Sequence, residues 1–413
     1  MRILFSSTPA HGHLLPLLPL ARAFRDRGDQ VAVLTAGAFA PLLDAEGIEL
    51  VAAGPTADVL FAESGRRTGV DAAADPRPEA VADFFAGTRV DLTADDAVAA
   101  ARAFAPDLVV AEALDFVGPL VAAALDVPHA TMAFGPAIPA EFTDGMHALV
   151  ASRYADRGLA AVPARWYLDP CPDLLQPPGW QAPANRVQVR PEPHQGPNAP
   201  GAGSENGSEA VSEAVSEAVS EAVSEDTNAT RGERPRVLVT FGTHFSDPAT
   251  LTPILAELRT VGVDLVVTLG LTATAADYAL PGEDAAGTNA AGDITFAPFT
   301  PLADLLQDVD FVVTHGGAGT TLGVLSRGLP LVVVPQGADQ FLQAAVVGAT
   351  GTGIAVQPGP DVPETVAKAA VTLRTDPSYA EAAAKVAAEI ATIPTPSEVA
   401  TRLAEALPEP ARS

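Results

Sequence analysis

Short runs of apolar, β-branched residues alternate with segments of helical spacing in both halves of the sequence, and this alternation restricts the fold more than any other feature. In the first half the runs are residues 2–7, 30–35, 107–111 and 127–133. Leu17, Leu20, Ala21 and Phe24 recur at helical spacing over about residues 14–27, a stretch ended by Gly28, and a further helical segment lies around residues 116–125. The second half repeats the scheme with runs at 236–241, 264–268, 310–314 and 331–334. Strands that alternate with helices pair in parallel and are covered on both faces. Each half is therefore expected to form a doubly wound α/β domain. The Ala- and Glu-rich tail, about residues 363–407, predicts several helices packed outside the sheet or crossing back to the first domain.

The length agrees with two such units, because 413 residues exceed the roughly 250 to 300 over which one hydrophobic core keeps growing. Between the halves, residues 191–235 are dominated by Pro, Gly, Ser and Glu, and the tetrapeptide SEAV recurs four times from Ser208. Its small Ala and Val faces are too slight to offset the entropy of ordering. The segment is expected to be a disordered linker between a domain over 1–190 and one over 236–413.

Lys and Arg number 24 against 51 Asp and Glu, a formal charge of −27. That balance repels polyphosphate backbones, and no basic cluster offsets it, so nucleic acid is excluded as a partner. A small anion is compatible if backbone N–H groups, helix N-termini or a few placed side chains hold it. Cys171 is the single cysteine, which excludes an internal disulfide or a Cys-rich zinc site and fits a reducing compartment. The apolar opening is interrupted by Pro9, His11, Gly12, His13, Pro16 and Pro19, unlike the unbroken core of a secretory signal. No apolar run of about 20 residues could span a bilayer. A cytoplasmic protein without a transmembrane segment is expected.

The most informative stretch is DFVVTHGGAGTTLGVLSRGLPLVVVPQGADQF, residues 310–341. It reads as strand, glycine-rich turn, helix, second strand and an Asp339–Gln340 pair. Gly316, Gly317 and Gly319 allow close approach of backbone N–H groups, while Thr320 and Thr321 lie where helix donors are unpaired. A diphosphate fits there, favoured by the helix dipole, with His315 able to add a hydrogen bond. A purely structural strand-to-helix turn explains the glycines equally well. A dinucleotide site is a third reading, since Gly317 and Gly319 spell GxG and Asp339 lies near the ribose-binding spacing, but Leu322 stands where the third glycine belongs. In the first half, His13 follows the first strand at the carboxyl end of the sheet, where ligands of open α/β sheets bind. His11 and His13 could also be a metal pair, although no acid accompanies them. Asp308 and Asp310 spell DVD, a possible metal motif, but Asp310 enters an apolar strand and capping explains it better.

HGGAGTT followed by PQGADQ and preceded by APFTPLADLL resembles the donor-binding signature of bacterial nucleotide-sugar-dependent glycosyltransferases of the GT-B fold, in particular those that tailor polyketides and other natural products. HGHLLPLLPLARAFRDRG resembles that family's opening loop and helix, LDPCPDLLQPP from Leu168 its run before the interdomain linker, and VLVTFGTHF from Val237 the start of its second domain. The resemblance covers nearly the whole chain outside the SEAV insertion.

It implies two Rossmann-like domains facing a cleft, with acceptor binding in the first and nucleotide-sugar binding in the second. His315, Gly317 and Thr320 would hold the diphosphate, Asp339 and Gln340 the sugar hydroxyls, Gly242 and Thr243 would face the donor, and Phe299 and Thr300 would border the base. For Asp339, helix N-capping is an alternative. An acceptor hydroxyl needs a base, and histidine titrates nearest neutrality. The second histidine of HGH, His13, is the implied base. Glu112 occupies the place where related enzymes carry an aspartate and would orient His13, with Asp115 as the other choice. Phe84, Phe85, Phe116, Phe134, Phe142 and Met146 are candidates for lining an acceptor pocket, or ordinary core. The expected activity is metal- and cofactor-free inverting transfer of a hexose or deoxyhexose from a nucleoside diphosphate to a hydroxyl of a hydrophobic aglycone. A nucleotide-sugar epimerase and a non-catalytic homologue that binds nucleotide or activates a partner are the alternatives.

Overall fold

The computed structural model describes residues 1–72, 77–196, 234–242, 245–270, 273–278, 280, 293–298 and 300–407. The SEAV repeat, Thr243 and Phe299 lie outside the described residues.

The first half is built from β1 (Arg2–Ser6), α1 (His11–Leu14), α2 (Leu18–Asp26), β2 (Gln30–Thr35), α3 (Ala40–Ala45), β3 (Glu49–Ala52), α4 (Ala57–Thr68), α5 (Pro78–Ala82), α6 (Arg89–Phe104), β4 (Leu108–Glu112), α7 (Val117–Leu125), β5 (His129–Met132), α8 (Ala140–Ala155), β6 (Trp166–Asp169) and β7 (Arg186–Gln188). The second comprises β8 (Arg236–Thr240), α9 (Pro248–Thr260), β9 (Asp264–Thr268), β10 (Ile294–Ala297), α10 (Leu302–Leu305), β11 (Phe311–Thr314), α11 (Ala318–Ser326), β12 (Leu331–Val333), α12 (Gln340–Thr350), β13 (Gly353–Ala355), α13 (Val362–Thr375), α14 (Ser378–Thr392) and α15 (Pro396–Ala406).

All strand pairs among the described residues are parallel. One sheet has the order β3-β2-β1-β4-β5-β6-β7 and the other β10-β9-β8-β11-β12-β13. Side chains of successive strand residues point to opposite faces. Ile3 and Phe5 enter one core and Leu4 another, just as Val237 and Val239 part from Leu238. In each sheet the chain begins in the middle and reverses its winding, between β1 and β4 and between β8 and β11. That reversal opens a crevice at the carboxyl ends of the two strands.

The helix expected over residues 14–27 is divided. His11–Leu14 forms its own turn, a tighter turn follows at Leu15–Leu17, and α2 begins at Leu18. Pro16 and Pro19 lack the N–H groups that would continue the ladder, so His13 sits on a short helix instead of a loop. The short strands β6 and β7 were not expected from the sequence, because three or four residues flanked by prolines give no periodic signal.

The tail does cross back. Val399, Ala400, Leu403 and Leu407, in and just beyond α15, join Leu14, Leu17, Leu18 and Phe24 in the core of the first sheet. A capping box starts α15: Thr395 Oγ1 accepts from Glu398 N at 3.2 Å and Glu398 Oε2 accepts from Thr395 N at 2.8 Å. Arg190 fastens the approach, its N–H donating to Pro394 O at 2.7 Å and its Nη2 to Ala391 O at 2.8 Å. Among the described residues no helix is long and apolar enough to cross a membrane.

Leu403 is fully buried, and Leu403→Ala is expected to cost about 2–5 kcal/mol. Both tryptophans, Trp166 and Trp180, precede the linker. Urea unfolding followed by their fluorescence should therefore show a lowered midpoint at unchanged slope, although the substitution lies in the tail.

Candidate active site

Each crevice carries the candidate residues of its own half. At the β1/β4 crevice, His13 Nδ1 lies 3.1 Å from Glu112 Oε1. Glu112 ends β4 and is 2% exposed. It accepts backbone N–H groups from Leu114 at 2.7 Å and Thr8 at 3.3 Å. Burial alone would raise its pKa, but the charge and hydrogen bond of His13 and those two N–H donors outweigh it, so the carboxylate is held below its ordinary range. Burial likewise disfavours a charged His13, yet Glu112, helped by Asp339 and opposed by Arg89, raises its pKa above 6.5. With Nδ1–H given to Glu112, Nε2 carries the lone pair and can take a proton. Asp115, the other candidate, is buried with Arg89 at 3.1 Å and accepts from Ser6 Oγ, and among the described residues no hydrogen bond joins it to His13. His11 turns elsewhere, its ring 5.0 Å from Phe39.

Aromatic rings enclose the imidazole, with Phe85 at 5.4 Å and Phe134 at 5.6 Å between centroids. Phe85 lies on a widened, π-helical turn, Asp83–Thr88, that precedes α6. Phe134 and Phe116 line a cavity of about 270 Å³ together with Leu114, His147, Tyr167 and Trp180. Tyr167 and Trp180 escaped sequence analysis because they come from β6 and the proline-rich run after it. Phe84 is 3% exposed and stacks on Phe61 at 4.2 Å, and Met146 is 1% exposed, so these two belong to the core. Phe142 packs against the same cluster.

At the β8/β11 crevice, His315 follows β11 with its ring 5.5 Å from Phe245 and 6.1 Å from Phe241. The ring is wedged between two glycines. A Cβ on Gly242 (φ +68°) or on Gly317 would come within 2.9 Å of it. Gly316 has φ +90°, and a Cβ there would meet Val333 at 2.6 Å. Gly317 is the N-cap of α11 and supplies no side-chain cap. The N-cap therefore offers the first-turn N–H groups no side-chain acceptor, and Thr321 Oγ1 is buried without a hydrogen-bond partner among the described residues. Thr320 and the exposed Gly319 stand on that same turn. Thr300 Oγ1 donates to Pro298 O at 3.0 Å, bracing its own turn.

Asp339 precedes α12 but makes no capping bond, and its Oδ2 is buried without a hydrogen-bond partner among the described residues. Burial raises its pKa, opposed by the charge of His13. Gln340 directs Oε1 to the N–H groups of Gln336 at 2.7 Å and Gly337 at 3.1 Å, so its carbonyl oxygen folds the PQGADQ turn. That role had no signal in the sequence. The two crevices meet: a Cβ on Gly319 would lie 3.8 Å from Pro16, and one on Gly135 would lie 2.6 Å from Gln343. Among the described residues no cluster of three or more His, Cys, Asp or Glu could hold a metal ion. Asp310 of DVD accepts from the backbone N–H of Arg236 at 2.8 Å.

Residues 22–210 match the family model of the erythromycin biosynthesis protein CIII-like N-terminal domain, and residues 254–406 that of the C-terminal domain. L-demethylnoviosyl transferase of Streptomyces niveus is 30% identical, over 86% of this chain and 85% of its own length. Tylactone mycaminosyltransferase of Streptomyces fradiae is 26% identical, over 87% and 82%. The solved structure of the Streptomyces sp. SF2575 glycosyltransferase SsfS6 with thymidine diphosphate is 28% identical with a TM-score of 0.76, covering 98% of this chain and 100% of that one. With its two parallel sheets, flanking helices and these relatives, the chain belongs to the bacterial GT-B nucleotide-sugar-dependent glycosyltransferases that tailor natural products.

Proposed function

We propose that this enzyme transfers a hexose or deoxyhexose from a nucleoside diphosphate to a hydroxyl of a hydrophobic aglycone, with inversion at the anomeric carbon and His13 as base. One observation carries the reading: a carboxylate-bound imidazole lies beside a largely apolar cavity and within electrostatic reach of Asp339 from the other half, whose Oδ2 has no hydrogen-bond partner among the described residues. His13 Nε2 takes the acceptor O–H proton while that oxygen attacks the anomeric carbon. The bond from that carbon to the diphosphate oxygen breaks, and the nucleoside diphosphate leaves with the electron pair. A single displacement of this kind inverts the centre, and no protein carboxylate acts as nucleophile.

The charge on the leaving group is met by the uncapped N–H groups of α11 and by His315, so the reading calls for no metal or cofactor. Asp339, and the amide nitrogen of Gln340, would bind the sugar hydroxyls. Phe85, Phe116 and Phe134 would contact the acceptor. The relative solved with thymidine diphosphate supports that nucleotide as the first donor class to test. The relatives named above are transferases of noviose- and mycaminose-type sugars, which supports deoxysugars over an epimerase or a non-catalytic role.

His13→Ala should lower kcat by about 10²–10⁴ while leaving thymidine diphosphate affinity intact, with product followed by mass spectrometry; undiminished transfer would remove His13 as base. Because the working form is deprotonated, kcat/KM should rise with pH through a midpoint above 6.5. Glu112→Gln deletes the charge that holds the proton, so the midpoint should move down and the rate should fall. Gly317→Ala forces the His315 ring aside and should weaken thymidine diphosphate binding by the value of one charged hydrogen bond, about 1.5–3 kcal/mol. Calorimetry should give a similar loss for His315→Ala; unchanged affinity in both would end the diphosphate assignment.

A further inference from the structure

A single peptide group joins the buried Arg89–Asp115 ion pair to the part-buried His13–Glu112 pair beneath the site. Arg89, the first residue of α6, is 0% exposed. Its Nε donates to Asp115 Oδ1 at 3.1 Å and its Nη2 to the Ser7 carbonyl oxygen at 2.7 Å. The other end of that peptide, the Thr8 N–H, donates to Glu112 Oε1 at 3.3 Å. Oε1 is also the oxygen 3.1 Å from His13 Nδ1. Ser7, Thr8, Glu112 and Asp115 are each 2% exposed or less, so water does not screen the chain.

A cation on a carbonyl oxygen polarises the peptide and strengthens its N–H as a donor, an effect that grows at low local dielectric. Asp115 fixes the guanidinium in turn, through Arg89 itself, Ser6 Oγ and the N–H groups of Val117 and Gly118 at 3.3 Å. Neither the arginine nor its path to His13 was visible in the sequence, where Arg89 is an unremarked charge before an Ala-rich helix.

We propose that Arg89 is a positioning residue for the base, acting through the Ser7–Thr8 peptide to hold the Glu112 oxygen that orients His13. The proposal rests on the reading of His13 as base. The charges facing His13 are Glu112 from β4, Asp339 from the start of α12 and Arg89 from α6. The first two favour its proton and the third opposes it. Arg89 therefore both aims the carboxylate and keeps the imidazole from holding its proton too firmly.

The test uses the full chain. Arg89→Lys keeps the charge but loses the fork that reaches Asp115 and Ser7 together, and kcat should fall about ten- to a hundredfold with the donor KM unchanged. Arg89→Met should do the same and also raise the His13 pKa, because the opposing positive charge is gone, read by NMR titration of ¹⁵N-histidine with the resonance assigned in His13→Gln. If Arg89→Met fails to fold because Asp115 is left unpaired, Arg89→Met/Asp115→Asn removes that charge and should show the same loss of kcat. Folded variants with an unaltered kcat and His13 titration, or a change confined to melting temperature, would overturn the proposal. Full transfer by His13→Gln would instead defeat the base reading, and the titration would still report whether Arg89 acts on the Glu112–His13 pair.

Discussion

Parallel pairing governs this molecule. A strand hydrogen-bonded in parallel to its neighbour cannot be reached by a hairpin, so the chain must cross a sheet face and return to the starting end. Every loop that follows a strand then gathers at the carboxyl edge, and a reversal of winding leaves a gap there. The first strand of each sheet occupies the reversal. His13 and Glu112 follow and end the two strands that border one gap, and Gly242 and His315 follow those that border the other. The placement of the chemistry is thus a consequence of backbone hydrogen bonding, before any side-chain preference is considered.

Within that frame, burial and charge settle the details. Glu112 could not remain ionised in an apolar interior without partners, and it has His13, Thr8 N–H and Leu114 N–H. Its pairing with His13 is mutual: each group stabilises the charged form of the other. Asp339 is in the opposite condition, with burial favouring its neutral form. Its Oδ2 has no hydrogen-bond partner among the described residues.

Strands with long apolar runs were legible in the sequence, as was the glycine turn, because period and glycine spacing are local properties. The short strands β3, β6, β7, β10 and β13 carry no such period and take their conformation from neighbours already in place. Among the candidate site residues, His13, His315 and Asp339 were singled out by motif. The choice between Glu112 and Asp115 was not legible, since it depends on which carboxylate Arg89 claims in three dimensions. The division of the phenylalanines also depends on packing. Phe84 and Phe85 are adjacent in sequence, yet one stacks on Phe61 in the core and the other meets the imidazole, because successive side chains of a helical turn leave its axis in different directions.

The tail helix has a consequence for biogenesis. Leu14, Leu17 and Leu18 are covered in part by Val399, Ala400 and Leu403, so the first lobe is translated long before the segment that seals it. While the ribosome adds the second lobe, that seam lacks the cover of the tail helix, and the core of the first lobe is completed only once residues 399–407 have been made.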